Sequence, residues 1–131
     1  MVKENYVRKA ILADALELSP KIRKGDREEI MASDGHSPLR ALVTPFTYDN
    51  AKIYSIIGTE KEGVIGMFGS NPTQLPEYGV AWLLSSEDLF KHTKQFLKEC
   101  PYWVAQMSQG YEYIYNFVDQ RNWKSLKWLQ F

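Results

Sequence analysis

The segment that most constrains the fold of this chain is a nearly continuous apolar run at residues 79–84, Gly-Val-Ala-Trp-Leu-Leu. Such a run is typical of a strand that lies inside a sheet and is covered on both faces. Residues 70–78 contain Pro72 and Pro76, which predicts an irregular loop before the strand. Ser85 follows the run and suits a helix N-cap, with Asp88 at the capping-box position. The run therefore predicts a central strand that leads into a helix.

The segments before this strand predict a short strand, several helices and a hairpin. Residues 6–10 indicate the strand, and the apolar residues of 12–22 have a loose helical spacing. Asp26 suits the N-cap of a short helix over 26–31, with Glu29 three residues later, and Ser37-Pro38 begins another helix. Residues 51–58 and 63–69 predict an antiparallel hairpin with its turn at 59–62.

The segments after the central strand alternate between helix and strand. The spacing predicts a helix up to Cys100, a second helical stretch that begins at Pro101, and a stop at Gly110. Residues 111–118 alternate as a strand does, and Asn122 caps a last helix. A strand–helix–strand unit implies a parallel pair with a right-handed crossover. We therefore predict one α/β domain over residues 1–131, with antiparallel N-terminal strands and a central parallel strand–helix–strand unit.

Charge, cysteine content and hydropathy argue against several classes of function. The chain has 16 Lys and Arg against 16 Asp and Glu, whereas a dedicated duplex-DNA binder needs a net basic face. Cys100 is the only cysteine, so no internal disulfide forms. His36 and His92 are far apart in the sequence and have no Cys or His nearby, which argues against a structural zinc site. No apolar run approaches the ~20 residues that span a bilayer. We expect a soluble, non-secreted chain that binds neither metal, membrane nor duplex nucleic acid.

Several short fragments, taken in their order and spacing, resemble a family of phage proteins. Together they are similar to the GNAT N-acetyltransferase fold, and more closely to the GNAT-like proteins of short-tailed phages called internal virion protein A. The resemblance runs from about Val7 to the end of the chain and implies a GNAT-like fold. The residues that carry it are Arg23, Asp26, Glu29-Ile30, Ala32-Ser33-Asp34-Gly35, Met67-Phe68-Gly69, Trp82-Leu83-Leu84-Ser85, Phe96-Leu97-Lys98-Glu99, Tyr115-Asn116-Phe117-Val118-Asp119, Asn122, Ser125-Leu126 and Trp128-Leu129.

The junction after the central strand departs from the pattern of a working GNAT enzyme. That pattern has an Arg/Gln-x-x-Gly-x-Gly/Ala turn, whose backbone N–H groups hold the pyrophosphate of acetyl-CoA. Here residues 84–89 read Leu-Ser-Ser-Glu-Asp-Leu, with no glycine and no arginine. Glu87 and Asp88 would repel a pyrophosphate by about 1 kcal/mol per charge pair at 4 Å in water. The sequence therefore predicts a degenerate acetyl-CoA site.

The resemblance implies contacts to acetyl-CoA at Leu84, Ser85, Ser86 and Asn122, should the chain bind it, and Ser125 could contact the CoA arm together with Asn122. Plain helix capping is the simpler explanation of the serines and of Asn122, and Ser125 on the same predicted helix is then an exposed serine. Glu77 and Tyr78 could serve as base and acid in acetyl transfer, but ordinary loop residues have the same pattern. His36, in a loop before a helix cap, has an equally incidental explanation.

The last third of the chain is rich in aromatic residues, which favours a core or an interface. Tyr111, Tyr113 and Tyr115 share one face of their strand and could stack bases of single-stranded nucleic acid, although no basic cluster surrounds them. In the GNAT family the final helix leads to further strands, whereas this sequence ends at Phe131, so we expect an unpaired edge on strand 111–118. The predicted partner contacts are Tyr113, Tyr115, Trp123, Trp128 and Phe131.

Two functions from different classes fit these observations. The first is a non-catalytic structural or interaction protein of a phage particle, produced in the host cytoplasm, which needs no cofactor and binds other virion proteins or itself. The second is an active N-acetyltransferase that holds acetyl-CoA between strands 79–84 and 111–118 and acetylates an unknown amine. The altered junction and the expected short C-terminus favour the first function, since a fold alone does not establish a chemistry.

Overall fold

A mixed sheet of five strands organises the part of the chain that the structure describes. The computed structural model describes residues 6–34 and 37–115. The strands lie in the sheet in the order in which they occur along the chain. Neighbours among the first four strands are antiparallel, and the fifth strand is parallel to the fourth. The prediction of antiparallel N-terminal strands followed by a parallel pair is confirmed. The strands are β1 (Val7–Lys9), β2 (Lys52–Ile57), β3 (Val64–Pro72), β4 (Tyr78–Ser85) and β5 (Tyr113–Tyr115).

The described residues also form four α-helices and three short 3-10 turns. The helices are α1 (Leu12–Leu18), α2 (Lys24–Asp34), α3 (Pro38–Val43) and α4 (Thr93–Ser108), and the 3-10 turns are Ser19–Lys21, Thr44–Thr47 and Glu87–His92. Ser37 caps α3 as predicted, because its hydroxyl accepts the Arg40 amide at 3.2 Å. Gly110 ends the α4 segment with a φ of 89°, a conformation that favours glycine.

Several predicted element boundaries are wrong. Helix α2 begins at Lys24 and not at Asp26, β5 begins at Tyr113 and not at residue 111, and three further differences have a clear physical reason. Pro101 lies inside α4, because Cys100, Trp103 and Met107 on either side of it are buried and their packing outweighs one lost helical hydrogen bond. Residues 70–72 continue β3 instead of forming a loop, and Pro72 is tolerated because it is the last residue of that strand. The helical spacing of residues 12–22 resolves into α1 and a 3-10 turn, since Pro20 interrupts the helix.

The two faces of the sheet carry separate apolar cores. One core packs α4 against the sheet, and its members include Phe96, Trp103, Ile65 and Phe68. The other packs α1 and α3 against the opposite face, through residues such as Ala15, Leu18, Leu42, Val64 and Met67. β4 supplies Ala81 to the first core, while Trp82 and Leu84 pack against the second. The prediction of a central strand covered on both faces is confirmed.

A bulge in the β2–β3 hairpin changes which side chains of β3 share a face of the sheet. Ile56 pairs with Gly66 and Ile57 pairs with Val64, so Ile65 is an extra residue in β3. The extra residue resets the alternation of side chains, and both Ile65 and Phe68 reach the α4 side. It also affects the end of β4, because the Ile65 carbonyl accepts the Ser86 amide at 3.0 Å.

Candidate functional site

Three of the four residues predicted for the cofactor site, Leu84, Ser85 and Ser86, lie where β4 ends and the chain turns toward α4. Ser85 is the last residue of β4, and the 3-10 turn Glu87–His92 follows it before α4 begins. Ser85 is therefore not a helix cap, which corrects the prediction. Ser86 takes that role, because its hydroxyl accepts the Asp88 amide at 3.2 Å. The cap moves by one residue because Ser85 is still paired with Gly66 in the sheet.

The start of α2 binds both backbone groups of Ser85. The Asp26 carboxylate accepts the Ser85 amide at 2.9 Å, and the Ser85 carbonyl accepts the Arg23 amide at 2.8 Å. Asp26 and Ser85 are both buried. Asp26 lies within the first turn of α2 and is not its N-cap, which corrects a second prediction. The carboxylate that was expected to cap its own helix instead bonds to a strand 59 residues away.

Arg23 and Asp26 form an ion pair beneath this junction. The guanidinium Nη1 of Arg23 donates to Asp26 at 2.7 Å, and both side chains are largely shielded from water, at 12% and 2% exposure. The guanidinium also lies 5.1 Å from the centre of the Phe90 ring and 3.9 Å from the carboxylate of Glu87. Arg23 is thus surrounded by groups of this chain that a cation favours.

Four backbone amides at the junction donate to acceptors within the chain. Besides the Ser85 and Asp88 amides, the Ser86 amide donates to the Ile65 carbonyl and the Leu89 amide donates to the Ser86 carbonyl at 3.3 Å. A backbone N–H that binds an anion must point away from such partners. Glu87 and Asp88 occupy the first turn of the 3-10 helix, as predicted, and place carboxylates at the same end.

A second group of charges joins the hairpin turn to the residues before α4. Glu62 accepts the Thr59 amide at 2.9 Å and lies 2.9 Å from Nε2 of His92 and 3.7 Å from Nζ of Lys91. The Thr59 amide, followed by His92, lowers the pKa of Glu62 to about 2. Lys91 also pairs with Asp88 at 3.1 Å. These contacts connect the 3-10 turn before α4 to the turn of the β2–β3 hairpin.

The predicted partner residues of β5 lie at the opposite end of β4. Tyr113 is 56% exposed and stacks on Tyr78 at 5.0 Å, and Tyr115 meets the same ring edge-on at 6.3 Å. The Glu77 carbonyl accepts the amides of Glu112 and Tyr113, which aligns the starts of the two parallel strands. Glu77 and Tyr78 thus have a clear structural role in joining β4 to β5.

Of the other predicted site residues, one is described by the structure and six are not. Leu84 lies on β4 and packs, half-buried, against the core beneath α1 and α3. His36, Asn122, Trp123, Ser125, Trp128 and Phe131 lie outside the described residues. Arg23 and Asp26 were not predicted to contact β4, although both belong to the fragments that carry the family resemblance. Their spacing of three residues at a helix start is the one signal for a pair.

Cys100, the only cysteine of the chain, is buried. Burial, and then the nearby Glu99, raise the pKa of the Cys100 thiol to about 12, which disfavours a thiolate nucleophile. Residues 6–34 and 37–115 contain no group of three His, Cys, Asp or Glu side chains placed to hold a metal ion. Within the same ranges, no helix is both long enough and apolar enough to cross a membrane.

Comparisons with known proteins agree with this architecture. No family model and no curated protein matches the chain. Among solved structures, the chain is similar to a protein assigned as a phosphinothricin N-acetyltransferase, with a TM-score of 0.58 and 14% identity over 95% of this chain and 78% of the other. A transcriptional regulator from Bacillus halodurans C-125 matches with a TM-score of 0.54 and 11% identity, over 95% of this chain and 88% of the other.

A third structure supports the same fold. The tetramutant of the BH1408 protein from Bacillus halodurans matches with a TM-score of 0.52 and 13% identity, over 99% of this chain and 90% of the other. The chain therefore has the α/β fold of the GNAT acetyltransferases, as the sequence fragments implied. Identities this low establish the fold and leave the chemistry to be argued from the site.

Proposed function

We propose that this chain is a non-catalytic interaction protein on a GNAT-like scaffold whose acetyl-CoA site is degenerate. We further propose that it belongs to a phage particle, as its sequence fragments suggest. The protein needs no cofactor in this role. Its activity is to bind other virion proteins or further copies of itself.

One observation carries the proposal: the backbone amides at the end of β4 already have partners within the chain. The Ser85 amide bonds to Asp26, the Ser86 amide to Ile65, and the Asp88 amide to the Ser86 hydroxyl. To hold a pyrophosphate, these amides would have to break buried hydrogen bonds and leave their acceptors unsatisfied. Each such loss costs about 1–3 kcal/mol, which opposes the gain from binding.

The charges near the junction support the same conclusion. Asp26, Glu87 and Asp88 are acids placed within one or two residues of these amides or bonded to them. The nearby cations are engaged as well, because Arg23 pairs with Asp26 and Lys91 pairs with Asp88. A pyrophosphate that approached this surface would meet carboxylates, with a repulsion of about 1 kcal/mol per pair at 4 Å in water and more where water is excluded.

The partner contacts follow from the aromatic residues at the far end of β4. Tyr113 presents a large exposed ring, and Tyr115 lies beside it on β5. Exposed tyrosines are frequent anchors in protein interfaces because they combine apolar area with a polar tip. We propose that these tyrosines bind a protein partner, together with Trp123, Trp128 and Phe131 of the C-terminal sequence.

A thermal-shift titration with acetyl-CoA tests the degenerate site. The non-catalytic function predicts an unchanged melting temperature, because the amides of Ser85, Ser86 and Asp88 already have acceptors within the chain. An active N-acetyltransferase predicts a saturable rise, equivalent to about 2.7 kcal/mol when the ligand reaches 100 times its dissociation constant. An acetyltransferase of the same fold that binds acetyl-CoA is the positive control. A saturable rise in this chain would overturn the proposal.

Mass spectrometry of purified phage particles tests the proposed location. Peptides of this chain should persist in particles after a high-salt wash, at a constant ratio to a capsid protein. Peptides found only in the lysate, and lost from washed particles, would contradict a place in the virion.

A further inference from the structure

The outer face of α4 has an unusual distribution of charge. Lys94, Lys98 and Tyr102 recur every four residues along it, and all three side chains are exposed. Half of the surface of Tyr102 is exposed to solvent. The only acid within α4 is Glu99, which is buried on the opposite side against Trp103 and Gln95. The exposed face of this helix is therefore basic and aromatic on a chain whose net charge is zero.

This arrangement is unfavourable for the isolated helix. Lys94 lies in the first turn of α4, where the helix dipole favours anions and disfavours cations. Lys94 and Lys98 are also neighbours of like charge, one turn apart. Within residues 6–34 and 37–115, no carboxylate lies within ion-pair distance of either lysine, whereas nearby Lys91 pairs with both Asp88 and Glu62. Local rules are most often broken where a surface serves a partner.

The same chain carries a patch of opposite charge beside an exposed tyrosine. The backbones of Glu77 and Glu112 are adjacent at the starts of β4 and β5, because the Glu77 carbonyl accepts the Glu112 amide at 2.9 Å. Glu77 is half-buried and Glu112 is exposed. Neither carboxylate has a cation within ion-pair distance in the described ranges. Tyr113, next to Glu112, is the exposed ring. Each surface thus combines one tyrosine with two like charges that have no ion-pair partner among residues 6–34 and 37–115, and the two surfaces have opposite sign.

We propose that the basic face of α4, Lys94, Lys98 and Tyr102, binds the acidic patch Glu77, Glu112 and Tyr113 of a second copy of this chain. The inference deepens the proposed function and rests on it, since it names the partner of an interaction protein. The two lysines are one helical turn apart, about 6 Å, a spacing that suits two adjacent carboxylates. Charge complementarity of this kind sets partner choice and orientation.

The contact is head-to-tail, because the two surfaces are different patches of one molecule. Such a heterologous contact leaves one free patch of each kind on every pair, so further copies add to form a ring or an open chain. The association should weaken as salt increases, since charges on exposed side chains are screened within about 10 Å at 0.1 M salt.

Sedimentation of four purified proteins tests the inference. The wild-type chain should associate with concentration, whereas K94E/K98E and E77K/E112K should each weaken the dissociation constant by at least about tenfold. An equimolar mixture of the two variants should associate again, because each reversed patch meets its opposite on the other variant. The matched control is K9E/K61E, which reverses two other exposed lysines and should associate like the wild type.

Each alternative result contradicts the inference. A wild-type chain that stays monomeric at low salt, a mixture that fails to associate, or a control that dissociates as readily as K94E/K98E would overturn it. Circular dichroism of every variant separates loss of association from loss of folding, and charge reversal on these surface side chains should preserve the fold. Acetyl-CoA titration of the same samples keeps failure of the proposed function distinguishable from failure of this contact.

Discussion

Two buried aspartates, Asp14 and Asp26, make similar contacts in different parts of the fold. Each pairs with an arginine and accepts a backbone amide. Asp14 binds Arg8 through two hydrogen bonds of 2.8 and 2.9 Å and accepts the Ile11 amide at 3.0 Å. Asp26 binds Arg23 at 2.7 Å and accepts the Ser85 amide at 2.9 Å.

The difference lies in the range and the exposure of these contacts. The Ile11 amide is three residues from Asp14, and Arg8 leaves 42% of its side chain in water. The Ser85 amide is 59 residues from Asp26, and Arg23 is only 12% exposed. Asp14 therefore closes the start of α1 and also accepts the Ser55 hydroxyl of β2 at 2.8 Å, whereas Asp26 accepts a backbone amide at the end of the central strand. Similar chemistry binds a nearby backbone amide in one place and a distant backbone amide in the other.

The largest effect is expected for Asp26→Ala. This change leaves the Arg23 guanidinium and the Ser85 amide buried without their acceptor, a loss of about 3–5 kcal/mol for a buried pair. Urea unfolding followed by tryptophan fluorescence measures the free energy of unfolding. A loss under about 1 kcal/mol would show that water reaches this junction, since exposed pairs contribute about that much or less.

A smaller effect is expected for Asp14→Ala. Arg8 can return to solvent, so the remaining cost is mainly that of the unsatisfied Ile11 amide and Ser55 hydroxyl, about 1–3 kcal/mol. The same urea titration gives the value. If Asp14→Ala proves as costly as Asp26→Ala, exposure of the arginine does not explain the difference between the two pairs.

The pH dependence of the Asp14 contact sharpens the comparison. Burial raises its pKa, but hydrogen bonds from Arg8, Ile11 and Ser55 outweigh that effect, and the pKa lies below the usual 3.8. Folding thus favours the ionised form of Asp14. The contribution of Asp14 to the free energy of unfolding is complete above 3.8, the pKa of the unfolded state, and is lost as the pH falls below that value. The stability difference between wild type and Asp14→Asn should be full at pH 6 and shrink toward pH 2. A difference independent of pH would contradict this.

Ser86→Ala should have a modest effect. The alanine cannot accept the Asp88 amide, and loss of a serine cap typically costs about 1 kcal/mol. Ser37→Ala is the matched control, since Ser37 caps the exposed start of α3 in the same way. Denaturant midpoints of the two variants should therefore fall by similar amounts. A much larger loss for Ser86→Ala would indicate that its contact with Ile65 matters more than the cap.

The smallest effect is expected for Glu62→Gln at the hairpin turn. The hydrogen bond from Thr59, with His92 next, holds the pKa of Glu62 at about 2, so the carboxylate favours the folded state above its usual 4.5. The variant should melt slightly below the wild type at neutral pH and coincide with it near pH 2. Melting curves that differ equally at both pH values would rule out ionisation of Glu62 as the cause.

The elements with a regular local pattern were predictable from the sequence. The apolar run 79–84, the Ser37-Pro38 cap and the hairpin all appear close to their expected positions. Each depends on residues that are neighbours along the chain. The parallel pairing of β4 with β5 also followed, because a strand–helix–strand connection has few alternatives.

The features that shape the candidate site were not predictable, since they depend on distant residues. The carbonyl of the extra residue Ile65 accepts the Ser86 amide, which keeps Ser86 beside the sheet. The helix cap is therefore Ser86 and not Ser85. The sequence around Asp26 has a capping pattern, but a carboxylate bonds to whichever donor the tertiary fold brings near. No local pattern indicates that Ser85 is that donor.

The reach of the Asp26 contact has a consequence for the order in which the chain assembles. The pair between Arg23 and Asp26 joins residues three apart, whereas the bond between Asp26 and Ser85 spans 59 residues, so we expect the bond to Ser85 to close late in folding. Contacts that form after the rate-limiting step change the rate of unfolding and leave the rate of folding almost untouched. The contacts at the end of the central strand would then slow unfolding of the native state and leave the rate of folding nearly unchanged.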